Sequence, residues 1–372
     1  MKSSIHLGKI MGIPIGINYS WFIIFFLITA TLAHYVYPDL YPDWSALACW
    51  IVGLGTSLLF FASLIFHELA HSFVAIKKGI SVRSITLFIF GGAARISREA
   101  STPGTELLMA VAGPLASVSL AGIFALIWLA GRNASEPLAA TAFYLCWVNL
   151  VLAAFNMLPG FPMDGGRVLR SIIWWRSGNY WRATRVATFI GQALGCLLIL
   201  AGVVIGSLVY WFSGLWLTLV GGFLCFAAWA SYRQAKLREG LRGLTARDLM
   251  TGGCREVPAS MPLEAVSGHQ FHLAGDRCLF VGEEGKVRGI ITQQDIKLVP
   301  KRRRKTMSAA EVMVPLEKID VVYPNEEGLT VLEKMEKGRG GLLLVVRGGE
   351  IVGVIERERL LEAGRARAGS GA

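Results

Sequence analysis

The chain has 372 residues, a net charge of +11, a hydrophobic share of 53% and only 17% charged residues. Soluble domains average about 25% charged, so the composition excludes a wholly soluble globular protein, and the length fits two or three domains. Apolar runs of about 20 residues, long enough to cross a bilayer, fill the chain up to Ala230, and charge gathers after Arg233.

Six spans are expected: Ile17–Tyr35, Ala46–Ile76, Leu107–Ala130, Ala139–Leu158, Val186–Leu208 and Tyr210–Ala230. Lys and Arg placement orients them. Lys2 and Lys9 precede the first span, and the loop after it holds Asp39 and Asp43 without a cation. The next loop carries Lys77, Lys78, Arg83, Arg95 and Arg98, the following one only Arg132, and Arg167, Arg170, Arg176, Arg182 and Arg185 come after the fourth span. This alternation puts both termini in the cytoplasm of a multi-pass protein, with a prokaryotic cell membrane as the expected site. It also accounts for the positive charge without nucleic acid as a partner. No removable signal peptide is expected. Cys49, Cys146, Cys196 and Cys225 lie in apolar spans, Cys254 and Cys278 lie beyond them, and no close CxxC pair occurs, so reduced, buried thiols are expected.

The second span contains FHELAH, Phe66 to His71. From Ala46 to Ile76 its other hydroxylic side chains are Thr56, Ser57, Ser63 and Ser72. On a helix His67 and His71, four residues apart, project from one face toward one ion, and Glu68 stands beside them. The bland alternative is a pair of core histidines with a satisfied glutamate. Ionisable groups in a membrane helix are costly, which favours function. A catalytic zinc needs about three protein ligands and an open position. The other histidines, His6, His34, His269 and His272, lie near the terminus, in an outer loop or in the charged part. Asp164, in NMLPGFPMDGGR, stands on a stretch where Pro159, Gly160, Pro162, Gly165 and Gly166 break the helix. Such a break is tolerated at membrane depth when buried or lining a wet cavity. A surface turn after the fourth span explains these residues equally well.

HELAH together with Asn156, Pro159, Pro162, Asp164 and Gly165 resembles the paired signatures of the site-2 protease family, zinc metalloproteases that cut peptide bonds inside membranes. KIMGIPIGINYSW (Lys9 to Trp21), LFIFGG (Leu87 to Gly92) and AGPLAS (Ala112 to Ser117) are similar to further family segments, and the likeness covers roughly the first 230 residues. The resemblance implies one Zn2+ per chain held by His67, His71 and Asp164, Glu68 as general base, and Asn156 near the substrate backbone or developing oxyanion. SITLFIFGG (Ser84 to Gly92) is β-prone and ends in glycines, so it can offer an edge to an extended substrate. Phe90, Gly91 and Gly92 are the candidate contacts, and a structural hairpin covering the site is compatible with that role.

Beyond Arg233 the chain repeats. TARDLMT (Thr245 to Thr251) echoes SAAEVMV (Ser308 to Val314), and GKVRGIITQQDI (Gly285 to Ile296) echoes GEIVGVIERERL (Gly349 to Leu360). The offsets are 313 − 250 = 63 and 353 − 289 = 64, which argues a tandem α/β pair. The repeat resembles a pair of CBS domains, which implies an adenine nucleotide between the repeats. Thr292 and Asp295 match the ribose-contacting pattern, whereas Glu356 and Arg359 depart from it in the second repeat. A structural pair that docks or forms a homodimer is the other reading.

The expected architecture is thus a polytopic α-helical membrane protein of six helices with a C-terminal tandem CBS region. Its segments are 1–235 (membrane protease), 236–244 (linker), 245–300 and 308–365 (CBS repeats), 301–307 (the basic linker with KRRRK) and 366–372 (disordered tail). The expected activity is an intramembrane zinc endopeptidase acting on a membrane-anchored protein in the lipid bilayer. CBS domains would regulate it through nucleotide or substrate. The alternative is a CBS-regulated metal-ion transporter or channel, against which Glu68 argues, because transport needs no acid placed for proton transfer.

Overall fold

The computed structural model describes residues 5–97, 99–208, 210–252, 254–266, 278–283, 286–338 and 341–370. Lys2, Arg98, His269, His272 and Gly285, named above, lie outside them. The chain forms two units, Met1–Tyr232 and Arg233–Ala372.

The first unit opens with a hairpin, β1 (Ile5–Ile10) and β2 (Ile13–Ile17). Met11 and Gly12 turn it with φ of 53° and 79°, the two left-handed residues of a type I′ turn. β2 runs parallel to β3 (Val82–Phe88), which pairs antiparallel with β4 (Gly91–Ile96). The order β1-β2-β3-β4 leaves β4 as an edge strand. The sheet's buried face, Ile13, Ile15, Ile17, Ile85 and Leu87, follows the two-residue period of strands.

Six helices in the described residues are long and apolar enough to cross a membrane. The first combines α1 (Ser20–Thr31), a π turn at Leu32–Val36 and α2 (Tyr37–Leu40). The others are α3 (Ala46–Lys77), α4 (Pro103–Gly131), α5 (Glu136–Asn156), α7 (Tyr180–Leu208) and α8 (Trp211–Leu241). Ser45 caps α3 through Ala48 N–H, and Thr102 caps α4 just before Pro103. Between α5 and α7 stands the shorter α6 (Asp164–Ser177). The break expected before Asp164 is present, and it packs closely. A β-carbon at Gly165 would overlap the carbonyls of Met157 and Leu158, and one at Gly191 of α7 would overlap Phe161. Glycine is required at both for backbone to meet backbone.

Arg170, counted above among loop cations, is buried instead. Its guanidinium pairs with Glu106 at the start of α4, Nε donating at 2.7 Å, and lies over the rings of Phe161 and Tyr180. Charge patterning treats every cation near a span end as solvated, and this one is neutralised by a partner 64 residues earlier.

In the second unit, β5 (Arg255–Pro258), β6 (Cys278–Glu283), β7 (Lys286–Thr292) and β8 (Val314–Pro315) form one sheet. β9 (Val321–Val322), β10 (Leu342–Arg347) and β11 (Glu350–Glu356) form another. The β10–β11 hairpin repeats β6–β7 at 342 − 278 = 64. The bulge after Val281 recurs after Val345.

Three expectations are corrected here. Cys254 and Cys278 are joined as a disulfide. The parallel pairing of β5 with β6, Arg255 opposite Leu279, brings together cysteines 24 residues apart that no spacing rule pairs. Residues 236–241 of the supposed linker continue α8, with Leu237 and Leu241 packed in a core with Leu249, Val331 and Leu360. Residues 366–370 of the supposed tail continue the helix Arg357–Ser370.

Candidate metal centre

His67 and His71 are 2% and 7% exposed on α3 and project toward Asp164, the first residue of α6. Oδ2 of Asp164 lies 3.2 Å from Nε2 of His67 and 3.0 Å from Nε2 of His71, and the two Nε2 atoms are 3.2 Å apart. Among the described residues this is the cluster of side chains able to hold a metal ion. Four-coordinate zinc binds N and O ligands at about 2.0–2.2 Å, which sets ligand atoms about 3.3–3.6 Å apart. The three atoms, 3.0–3.2 Å apart, lie a few tenths of an ångström inside that spacing, and the donor set of two imidazoles and a carboxylate fits zinc.

The other ring nitrogens are fixed from α4. His71 Nδ1 donates to the carbonyl of Met109 at 2.6 Å, and His67 Nδ1 meets Ser117 Oγ at 2.9 Å. Such partners set the tautomer and aim the Nε2 lone pair at the ion. Met109, Gly113 and Ser117 lie four apart along α4, so one helix face supplies a carbonyl, a gap and a hydroxyl. At Gly113 a β-carbon would be 2.6 Å from Nε2 of His67. Sequence reasoning noticed AGPLAS as a segment without finding these roles. The signal was there in the small residues Gly113 and Ser117 at helical spacing.

Glu68 is half-buried and lies against the edge strand. A β-carbon on Gly92 would come 2.7 Å from its Cγ and 3.2 Å from Oε1. Gly91 has φ of 128°, conformational ground that glycine alone occupies readily. Phe90 stacks on Phe223 of α8 with ring centroids 4.0 Å apart. The structure thus joins His67, Glu68, His71 and Asp164, with Gly92 alongside. For Asn156, the amide donates to Leu152 O of its own helix at 2.9 Å, a helix-packing contact.

Thr292 and Asp295 form a capping box. Asp295 Oδ2 accepts from Thr292 N at 2.8 Å and Oγ1 at 2.7 Å, closing the start of the helix Gln293–Leu298. In the second repeat Arg359 donates to Leu249 O at 3.3 Å.

The model of Peptidase family M50 matches residues 55–140 and 129–201, and that of the CBS domain matches 309–366. A Synechocystis sp. protein, sll0528, is 34% identical over 97% of this chain and 96% of its own length. Rip3 of Mycobacterium tuberculosis is 32% identical over 95% of this chain and 91% of its own. The names of both propose a zinc metalloprotease. A solved site-2 protease from Methanocaldococcus jannaschii is 30% identical, covers 61% of this chain and 94% of its own, and has a TM-score of 0.44. With relatives aligned over nearly its full length and the HELAH and Asp164 segments both inside the matched region, this chain belongs to peptidase family M50, the site-2 protease family of zinc metalloproteases, and carries a C-terminal CBS domain.

Proposed function

We propose that this protease cleaves a peptide bond within or near the transmembrane segment of a membrane-anchored protein, with His67, His71 and Asp164 as zinc ligands and Glu68 as general base. The observation that carries it is the convergence of three ligand atoms at 3.0–3.2 Å, with Glu68 next in sequence to one of them. When bound, zinc supplies Lewis acidity and makes water a nucleophile near neutral pH. Met109 O and Ser117 Oγ hold the two imidazoles in the tautomer whose Nε2 lone pairs face inward. Glu68 takes the proton of the attacking water and returns it to the leaving nitrogen.

A helical substrate hides its peptide bonds, so it must unwind first. The β4 edge beside Glu68 offers backbone pairing for an extended segment at the right place. Both termini are assigned to the cytoplasm of a prokaryotic cell on the alternation of cations. An adenine nucleotide at the CBS pair would meet Asp295 with Oδ2 engaged in the capping box and Oδ1 as the second acceptor of the carboxylate.

The test is Glu68→Gln in a reconstituted cleavage assay with a single-span substrate and zinc measured in parallel. Cleavage is lost and zinc retained. Persisting cleavage removes Glu68 as base, and unchanged zinc in Asp164→Ala removes the three-ligand set.

A further inference from the structure

The basic run between the repeats holds none of the residues proposed for zinc binding or proton transfer. Residues 297–305 read KLVPKRRRK, six cations among nine residues and no acid. The segment leaves the helix Gln293–Leu298, passes Pro300 and makes one tight turn at Lys301–Arg303. Its base is fastened to the fold. Ile296 is buried in the core, Val299 packs against it, and Arg304 Nε donates back to Val299 O at 2.9 Å. Lys297, Arg302, Arg303 and Lys305 are exposed. Lys305 has Glu264 at 3.8 Å, with both side chains solvated, a pair of little worth.

Among these cations stands Leu298, 82% exposed. No large apolar side chain in the described residues is more exposed; of the next three, Leu208 and Trp211 lie on helices long and apolar enough to cross a membrane, and Trp175 lies on α6. Leu298 is on none of these. Its neighbours Ile296 and Val299 turn inward, so the leucine is presented and its exposure is not a failure of burial. Cations alone serve a soluble phosphate, which has no use for a leucine. Negative charge over an apolar layer suits both, and that is the surface of an anionic leaflet.

We propose that Lys297–Lys305 is a lipid-docking element: its cations bind anionic headgroups and Leu298 enters the boundary between headgroups and acyl chains. The second unit is continuous in sequence with the span α8, so a bilayer is always within reach. Docking is then intramolecular and needs only modest affinity. Each cation near an anionic surface is worth about fivefold. In the cell the idea rests on the cytoplasmic assignment above. The experiment is independent of it, because both leaflets receive the same lipid.

The full-length protein is placed in nanodiscs of phosphatidylcholine, alone or with roughly a third phosphatidylglycerol, and amide hydrogen exchange is followed across residues 297–306. Exchange is slowed at least fivefold by the anionic lipid, and the protection disappears in about 0.5 M NaCl, where the Debye length is only a few ångström. R302E with R303E abolishes it and Leu298→Ser reduces it by more than half. In both variants the amides of β6, β7, β10 and β11 keep their wild-type exchange, which shows that the second unit is folded, and zinc content and cleavage in phosphatidylcholine stay at the wild-type level. Equal exchange in the two lipids overturns the proposal, as does full protection in Leu298→Ser. Protection in phosphatidylcholine on adding ATP or inorganic phosphate reassigns the cations to a soluble anion. Protection there that grows with protein concentration reassigns them to a second copy of the chain.

Discussion

Gly113 of α4 lies against the ring of His67 of α3, so near that a β-carbon there would sit 2.6 Å from Nε2. The nitrogen proposed above to bind zinc is also an atom that Gly113 clears, together with Nε2 of His71. Gly113→Ala therefore displaces both imidazoles. Zinc measured by mass spectrometry on the purified protein should fall at least tenfold, with cleavage lost in step. Ser117→Ala removes only the partner of His67 Nδ1, and zinc affinity should drop by about 10- to 100-fold. Wild-type zinc in Gly113→Ala would show that the helices part freely here.

Gly92→Ala tests the proposed base apart from the proposed ligands. The new methyl meets Cγ of Glu68 and spares His67, His71 and Asp164. Zinc stays bound while kcat falls by about 100-fold, the usual cost of misplacing a reacting group by an ångström. Steady-state kinetics beside a zinc assay distinguish this from a folding defect.

Arg170 and Glu106 are 8% and 1% exposed, and Oε2 of Glu106 has no protein hydrogen bond. Removing one partner of such a pair costs about 3–5 kcal/mol, because the other is left charged and buried. Arg170→Met should lower thermal stability sharply in detergent. Arg170→Met with Glu106→Leu recovers most of it, since no charge is then stranded. A double variant no more stable than the single one would show that the pair is not the source of the loss.

The second unit carries a local pH dependence at Asp248. The backbone N–H and hydroxyl of Thr245 hold its carboxyl below the usual carboxylate range. A carboxyl with a depressed folded-state pKa stabilises above its unfolded value, and that share is lost as pH falls through the folded value. Asp248→Asn, compared with the wild type by hydrogen exchange of residues 245–250, should differ at pH 7 and converge as the solution is acidified below pH 4. An equal difference at both values would rule out the carboxylate as the source.

Much of the candidate centre was legible in the sequence because the helix period fixes the relation of His67 to His71. That Asp164 joins them came from a family likeness, since a ligand 97 residues away has no local signal. Ser117, Gly113 and Gly92 were hidden for another reason: what matters there is the space a side chain does not take. The spans were readable from length and hydropathy. Arg170 misled because charge counting assumes water, and the Cys254–Cys278 pairing depended on the order of strands. Thr292 and Asp295 carry two readings at once: Thr-x-x-Asp before a helix is also the signature of a cap, and the capping box is formed here through Asp295 Oδ2.

The Glu106–Arg170 contact bears on how the protein is made. Until α6 reaches α4, each carries a charge that belongs neither in lipid nor in a dry interior. The docking that removes both charges joins the helix of Asp164 to the helix of Met109 and Ser117. Neutralising the two charges and assembling the metal site are thus steps of one event. A chain that has not made this contact has both its two charges unpaired and its metal-binding cluster incomplete.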